Sequence, residues 1–213
     1  MSHLLPLFVN LSGRRVLLVG GGPVAAGKLE QLLAAGADVR VVSLTVHESI
    51  AKSGVPVAQR AFHPSDLDGA WLVVAAATPE VNREVASAAE AMRIFVNAVD
   101  DPANATAFLS GVVRRDGVTI AISTEGAAPG LTALLRQALD AFLPTDIGRW
   151  VQEAQRQRVG WRRDGIPMEA RRPLLLDALN RLYQRAHADQ ATAGERHEDA
   201  EAVAAGQTRS SWP

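Results

Sequence analysis

Two groups of residues in this chain have the types and spacing to do chemistry. The first is Gly20-Gly21-Gly22 with Pro23, Val24 and Ala25, placed directly after the apolar run Val16 to Val19. Gly20, Gly22 and Ala25 fall on the three small-residue positions of a dinucleotide fingerprint. Small residues there permit a tight turn, close approach of backbone to a pyrophosphate, and close packing of helix on strand. A helix starting at this point would aim free N–H groups and its positive end at the phosphates. The second group centres on Asp100, which ends the run Ile94 to Val99. A carboxylate beside apolar walls at such a place is suited to take a proton from a substrate. It is equally suited to cap the turn that Asp101-Pro102 begins.

Glycines also make ordinary turns, so the elements around them decide. Val16 to Val19 is aliphatic and β-branched, as a strand buried on both faces should be, and Ala25 to Ala35 is rich in helix formers before Gly36 supplies a stop. Val39 to Ser43 reads as a second strand, which completes a βαβ unit of about 30 residues. Val55 to Ala61 and Trp71 to Ala77 read as third and fourth strands, Glu80 to Met92 as a helix and Ile94 to Val99 as a fifth strand. This alternation predicts an α/β fold: a parallel sheet covered by helices, with ligands outside the carboxyl ends of the strands. Ala76-Ala77-Thr78 and Asn97-Ala98-Val99-Asp100 lie at two such ends. The second strand ends Val42-Ser43-Leu44-Thr45, without the acidic residue that usually holds the ribose. Ser43 or Thr45 could donate to a ribose oxygen, and the pattern leaves NAD and NADP both open.

Near residue 107 the pattern changes. Phe108 to Val113 and Val118 to Ser123 flank Arg114-Arg115-Asp116-Gly117, which predicts a hairpin around an Asp-Gly turn. A helix from Pro129 to Leu143-Pro144 then presents Leu131, Leu134, Leu135, Leu139 and Phe142 on adjoining faces. Such a face needs a partner surface, and a second copy of the chain is a natural one. Residues 145–187 read as two helices broken around Gly160 to Pro173, and they are rich in arginine, a pattern of a solvated face or of anion binding. From 188 onward composition turns to Ala, Glu, Asp, Gly and Ser, which reads as a disordered tail, with His197-Glu198-Asp199 solvated rather than metal-binding.

Composition excludes several classes. Among 213 residues, 47% are hydrophobic and 21% charged, and the net charge is -1, so nothing points to nucleic acid or an anionic membrane. No apolar stretch reaches the length of a spanning helix and no secretory signal opens the chain, so the cytoplasm is the expected compartment. The absence of cysteine removes thiolate-bound iron–sulfur clusters, cysteine-ligated zinc and thiol nucleophiles, and no resident metal site is expected. Lys28 and Lys52 are the only lysines among the 22 basic residues; the rest are arginine, the side chain suited to a bidentate grip on carboxylate. The only tyrosine, Tyr183, has His187 rather than lysine four residues on, against short-chain reductase chemistry. His47 stands at a helix start and His63 on a loop between Phe62 and Pro64, and both read as surface or turn histidines.

The motifs together carry a resemblance. Leu5-Pro6-Leu7-Phe8, Val19-Gly20-Gly21-Gly22-Pro23-Val24-Ala25 with Lys28, Ala76-Ala77-Thr78, Asn97-Ala98-Val99-Asp100, Phe108, and Ile122-Ser123-Thr124-Glu125-Gly126 with Pro129 come in an order that resembles the precorrin-2 dehydrogenase/sirohydrochlorin ferrochelatase family, the N-terminal module of siroheme synthase. The likeness covers roughly residues 3–187. It implies NAD-dependent removal of hydride from precorrin-2 to give sirohydrochlorin, commonly followed by insertion of ferrous iron, as substrate, to give siroheme. It further implies a homodimer built from an NAD-binding Rossmann-like domain (1–107), a hairpin-and-helix dimerisation region (108–144) and a small helical C-terminal domain (145–187), ahead of the tail (188–213).

By the same resemblance the catalytic aspartate falls on Asp100. Cofactor contacts fall on Gly20, Gly22, Pro23, Val24, Ser43, Leu44, Thr45 and Thr78, and backbone and hydroxyl contacts replace the missing acidic residue. Asn97, Thr124, Arg114 and Arg115 fall on the substrate side, where arginines would meet the eight carboxylates of the tetrapyrrole. Thr124 stands where some relatives carry a modified serine. Nothing after 187 reads as a methyltransferase domain, so that activity is expected on another chain. Two alternatives stay open: a dehydrogenase without chelatase activity, and a non-catalytic module that binds NAD or a tetrapyrrole.

Overall fold

Strand β1 (Arg15–Val19) is buried along nearly its whole length and divides the fold into two cores. Side chains alternate across a strand. Val16 and Leu18 therefore join the cluster that includes Ala25, Leu29 and Leu32, whereas Leu17 and Val19 join Val85, Ala86 and Ala89 on the opposite face. A computed structural model of the chain describes residues 4–184. The 188–213 segment with His197-Glu198-Asp199, and the last residues of the 145–187 segment, lie outside the described residues.

Helix α1 (Pro23–Ala34) supplies the first face, with Pro23 at its first turn and Gly36 in the left-handed region just beyond its end. Strand β2 (Asp38–Val42) follows, then helix α2 (Glu48–Lys52), strand β3 (Val57–Ala58), strand β4 (Leu72–Ala75), helix α3 (Pro79–Ala91) and strand β5 (Phe95–Ala98). The five strands are parallel in the order β3-β2-β1-β4-β5. The order reverses direction at β1, so the crevice between the ends of β1 and β4 is where an open α/β sheet receives a ligand. The α/β fold expected from the sequence is the one that forms.

One local expectation is corrected here. The third strand is two residues long rather than seven, because Pro56 has no N–H to give the ladder and the Arg60 N–H turns back to Ala58 O at 3.0 Å. Helix α2 begins at the helix start read at His47. Its start is set by His47, whose Nδ1 accepts from the Ser49 N–H at 3.3 Å. His63 caps a short 3-10 turn (Pro64–Leu67) in the same way, and Asp66 answers with a bond from the His63 N–H at 2.9 Å. Both histidines are thus turn residues. Arg60 grips Asp66 at 2.8 and 2.5 Å, and that pairing holds the Asp66 carboxyl below the usual carboxylate range.

Strands β6 (Gly111–Arg115) and β7 (Val118–Ile122) form a separate two-stranded sheet. Their turn is Asp116-Gly117, both at positive φ (44° and 88°), as the tightest hairpins require. Helix α4 (Pro129–Phe142) follows, then α5 (Ile147–Arg163) and a last helix, α6, over 168–184. The break between α5 and α6 is shorter than expected, since Gly165 at φ 67° ends α5 while Gly160 and Pro173 both lie within helices.

The chain divides into two compact units. Among the described residues, one comprises 4–112 with Ala121–Leu139, and the other Val113–Ile120 with 140–184. Segment 108–144 is shared between them. In the second unit Arg115 donates to Asp140 Oδ1 at 2.8 Å, Asp140 O at 2.9 Å and the carbonyl of Leu143, which ties the hairpin to the end of α4. Trp150 meets Tyr183 edge to face at 5.5 Å. Glu153 is buried and held ionised by Gln157 and Arg156, so its carboxyl lies below the usual range.

Candidate functional site

Four loops leave the carboxyl edge of the five-stranded sheet: Gly20 to Gly22 after β1, Ser43 to Thr45 after β2, Ala76 to Thr78 after β4, and Val99-Asp100 after β5. Three glycines occupy the first, for different reasons. Gly20 has φ 120°, and a methyl there would overlap the carbonyl oxygen of Ala76. A methyl on Gly21 would overlap the carbonyl oxygen of Thr45 and stand 2.8 Å from Ser43 Oγ. Gly22, the cap of α1, faces open space, with nothing within 4 Å of where a Cβ would stand. Gly20 and Gly21 thus bring the loops together, and Gly22 leaves room for a backbone-hugging ligand.

That room suits a pyrophosphate. Pro23 opens α1 without a donor, and the first intrahelical bond is from Ala26 N–H to Gly22 O at 3.0 Å. The amides of Val24 and Ala25 precede any intrahelical acceptor and belong to the positive end of the helix. Val24 is exposed. The residues present therefore fit a dinucleotide. At the end of β2 the Ser43 hydroxyl donates to Thr45 O at 2.7 Å, so it holds its own loop, while Leu44 and Thr45 are exposed. The His47 N–H donates to Gly21 O at 2.6 Å and fastens this loop to the glycines. Glu48 just beyond is paired with Lys52 at 2.5 Å.

Thr78 starts α3, and Glu80 faces back on it; its own backbone N–H and the Thr78 side chain hold the Glu80 carboxyl below the usual range. At the end of β5 the chain turns sharply, with Asp100 in the left-handed region at φ 58°. A non-glycine residue there stores strain and turns its neighbours out of the strand direction. Asp100 is exposed, so the apolar walls expected around it are not formed by the described residues. The capping role also goes elsewhere. Asp101 precedes the 3-10 turn Pro102–Asn104, and its Oδ2 accepts from Asn104 Nδ2 at 2.7 Å.

Two residues beside Asp100 had no individual role in the sequence reading. Lys28 is half-buried on α1, and burial pulls its ammonium below the usual lysine range, partly offset by the Asp100 carboxylate. Asn82, buried on α3, bonds to the ends of both β4 and β5. A lysine two turns into a dinucleotide-type helix was a visible signal; an asparagine inside an amphipathic helix was not.

The expected substrate-side residues separate. Asn97 is buried on β5; its Nδ2 donates to Ala107 O at 2.9 Å, and its Oδ1 has no partner among the described residues. Thr124 Oγ1 accepts from Ala128 N–H at 3.2 Å and contacts Thr132 Oγ1 at 2.9 Å, so it anchors the start of α4. The next turn comes close to the Asp100 loop, since a Cβ on Gly126 would stand 2.9 Å from Pro102 Cγ and 3.7 Å from Phe108 Cε1. Arg114 is exposed in the second unit, where Arg115 is engaged by Asp140 and Leu143. The basic helices show local pairing as well: Arg149 with Asp146, Arg156 with Glu153, Arg163 with Asp164.

The sequence comparisons add to this geometry. Residues 7–111 match a family described as "Putative NAD(P)-binding". The siroheme synthase of Tolumonas auensis is 42% identical over 147 residues, covering 68% of this chain and 31% of that protein. The siroheme synthase of Photorhabdus laumondii is 38% identical over 181 residues, covering 83% of this chain and 38% of that protein. Over most of its length the chain is therefore similar to siroheme synthases. It spans about a third of the length of these siroheme synthases. The fold agrees with that of a solved structure, SirC, precorrin-2 dehydrogenase, at TM-score 0.63 and 24% identity over 88% of this chain and 98% of that one. Among the described residues, no helix is long and apolar enough to cross a membrane, and no group of three His, Cys, Asp or Glu is placed to hold a metal ion.

Proposed function

We propose that this protein is an NAD-dependent precorrin-2 dehydrogenase of siroheme biosynthesis. The observation that carries the reading is the placement of the glycine loop, Thr78 and Asp100 on one edge of one sheet, in a chain similar to siroheme synthases. Bound at the glycine loop, NAD supplies the hydride acceptor. Gly20, Gly22, Pro23 and Val24 receive the pyrophosphate, and Ser43, Leu44 and Thr45 form the ribose end. Arg60, at the end of the neighbouring strand, is occupied by Asp66, so no arginine there favours a 2′-phosphate.

Oxidation removes two electrons as a hydride and one proton from the macrocycle, giving sirohydrochlorin and NADH. Asp100 takes the proton on its carboxylate, and its exposure lets that proton pass to water. Asn97 and Thr124 act on the substrate side by holding loops, Asn97 through Nδ2 on Ala107 O and Thr124 through the Ala128 N–H. Arg114 is the hairpin residue open to a substrate carboxylate. Insertion of ferrous iron, a substrate, would release two pyrrole protons, for which the same carboxylate serves.

The test is anaerobic incubation of the pure protein with precorrin-2 and either NAD or NADP, followed by absorbance. NAD-dependent appearance of the sirohydrochlorin spectrum is expected, with NADP slower. No oxidation with either nucleotide would leave only a binding module. Adding ferrous ion to sirohydrochlorin then separates the two enzyme readings, since a rate no faster than the protein-free control removes the chelatase.

The same reading includes a homodimer. Helix α4 has no buried residue, and Leu131, Leu134 and Phe142 are 50%, 65% and 82% exposed. An apolar stripe of that kind on an isolated chain marks an interaction surface. Light scattering is expected to give twice the chain mass, and Leu134→Glu to give the single-chain mass; a wild-type mass of one chain would remove the dimer.

A further inference from the structure

We propose that Asn82 is a positioning residue for Asp100, its carboxamide replacing one hydrogen bond of the β4–β5 ladder and so setting where the chain turns toward the site. This rests on the dehydrogenase reading for its catalytic consequence and on hydrogen-bond geometry for its mechanism.

Strands β4 and β5 pair in parallel, with Ala75 opposite Ala98. The last ladder bond runs from Val99 N–H to Ala75 O at 2.9 Å. In a parallel ladder the next bond would run from Ala77 N–H to Val99 O. It is not made. Instead Ala77 N–H donates to Asn82 Oδ1 at 3.0 Å, and Asn82 Nδ2 donates to Val99 O at 3.4 Å. One side-chain amide is spliced between two backbone groups that would otherwise meet, so the direct ladder ends there.

The splice is specific. Ala77 offers only a donor and Val99 only an acceptor, so the amide has one workable orientation and cannot flip. Asn82 is 3% exposed, and a buried polar group stays only where its bonds are made. Its own N–H bonds Thr78 O at 2.9 Å, so the side chain projects from the first turns of α3, the part of the helix nearest the strand ends. Val99, held by the amide, immediately precedes Asp100 at φ 58°. Where the ladder stops therefore determines where the carboxylate stands, and Asn82 determines where the ladder stops.

The test compares Asn82→Asp, which keeps the acceptor for Ala77 but turns an oxygen toward Val99 O, with Asn82→Ala. In both, kcat for precorrin-2 oxidation is expected to fall about tenfold or more while KM for NAD stays within about twofold. On an Asp100→Ala background Asn82→Asp is expected to cost nothing further, because a positioning residue has nothing left to position. An unchanged kcat, or an equal loss on both backgrounds, would overturn the proposal. A wild-type protein that does not oxidise precorrin-2, or Asp100→Ala with full activity, would instead overturn the functional reading. The ladder itself is then read without activity. Amide exchange at Ala77 in the nucleotide-free protein should accelerate about tenfold in Asn82→Ala, and unchanged exchange there sinks the splice.

Discussion

Asp100→Ala and Asp100→Asn are expected to lower kcat for precorrin-2 oxidation by about 100- to 10,000-fold, the usual worth of a positioned acid–base group. Affinity for NAD should stay within about twofold, because Asp100 leaves β5 while the pyrophosphate is received after β1. Asp101 is the control. Its carboxylate already accepts from Asn104, so Asp101→Asn should disturb the 3-10 turn and leave kcat nearly intact. Anaerobic initial rates with nucleotide titration by fluorescence measure both quantities. Full activity in Asp100→Ala would remove this carboxylate from the chemistry. Lys28 complicates the reading, since losing Asp100 removes the charge that offsets its burial. Asp100→Asn keeps the size of the side chain, so comparing the two variants separates the loss of the base from local repacking.

The central sheet was legible because its signals are local and strong. Val16 to Val19 and Trp71 to Ala77 are apolar on consecutive positions, which in a short run between turn residues means a strand covered on both faces. Asp116-Gly117 announced its hairpin because few other pairs tolerate positive φ twice in succession. Elements that depend on side-chain caps were legible only in part. Helix α2 begins on a histidine that imitates an Asn or Asp cap, so its start could be read at His47, while five residues are too few to show a helical period. At the candidate site, the glycines and Asp100 stand out by type and position. Asn82 does not, because its partners are backbone groups five and seventeen residues away, and sequence carries no mark of a ladder bond that is missing. The role of Arg115 was hidden for a related reason. Its acceptors lie near the end of α4, twenty-five residues on, so a basic hairpin turn looked like a free anion site when only Arg114 is exposed.

The glycine run should divide under substitution into two kinds of failure. Gly20→Ala and Gly21→Ala are expected to destabilise the fold by about 2–4 kcal/mol, read as a lower Tm without nucleotide. At Gly20 the cause is double, a φ of 120° that side chains rarely adopt and a methyl overlapping Ala76 O. At Gly21 it is steric alone, since Thr45 O and Ser43 Oγ occupy the space and the His47–Gly21 bond fixes the loop that carries them. Gly22→Ala should behave differently. Its φ of -79° and ψ of -175° suit any residue, and no protein atom lies within 4 Å of the added methyl. Its Tm without nucleotide should therefore stay close to that of the wild type. The methyl would stand where the proposed pyrophosphate approaches the backbone, so Kd for NAD should rise about tenfold or more, a loss near 1.4 kcal/mol. Calorimetric titration with NAD beside thermal melting separates the two kinds. Unchanged affinity in Gly22→Ala would mean that the open side of the turn is not the phosphate side. The vacancy beside Gly22 would then be a consequence of tight packing at Gly20 and Gly21 rather than a binding feature.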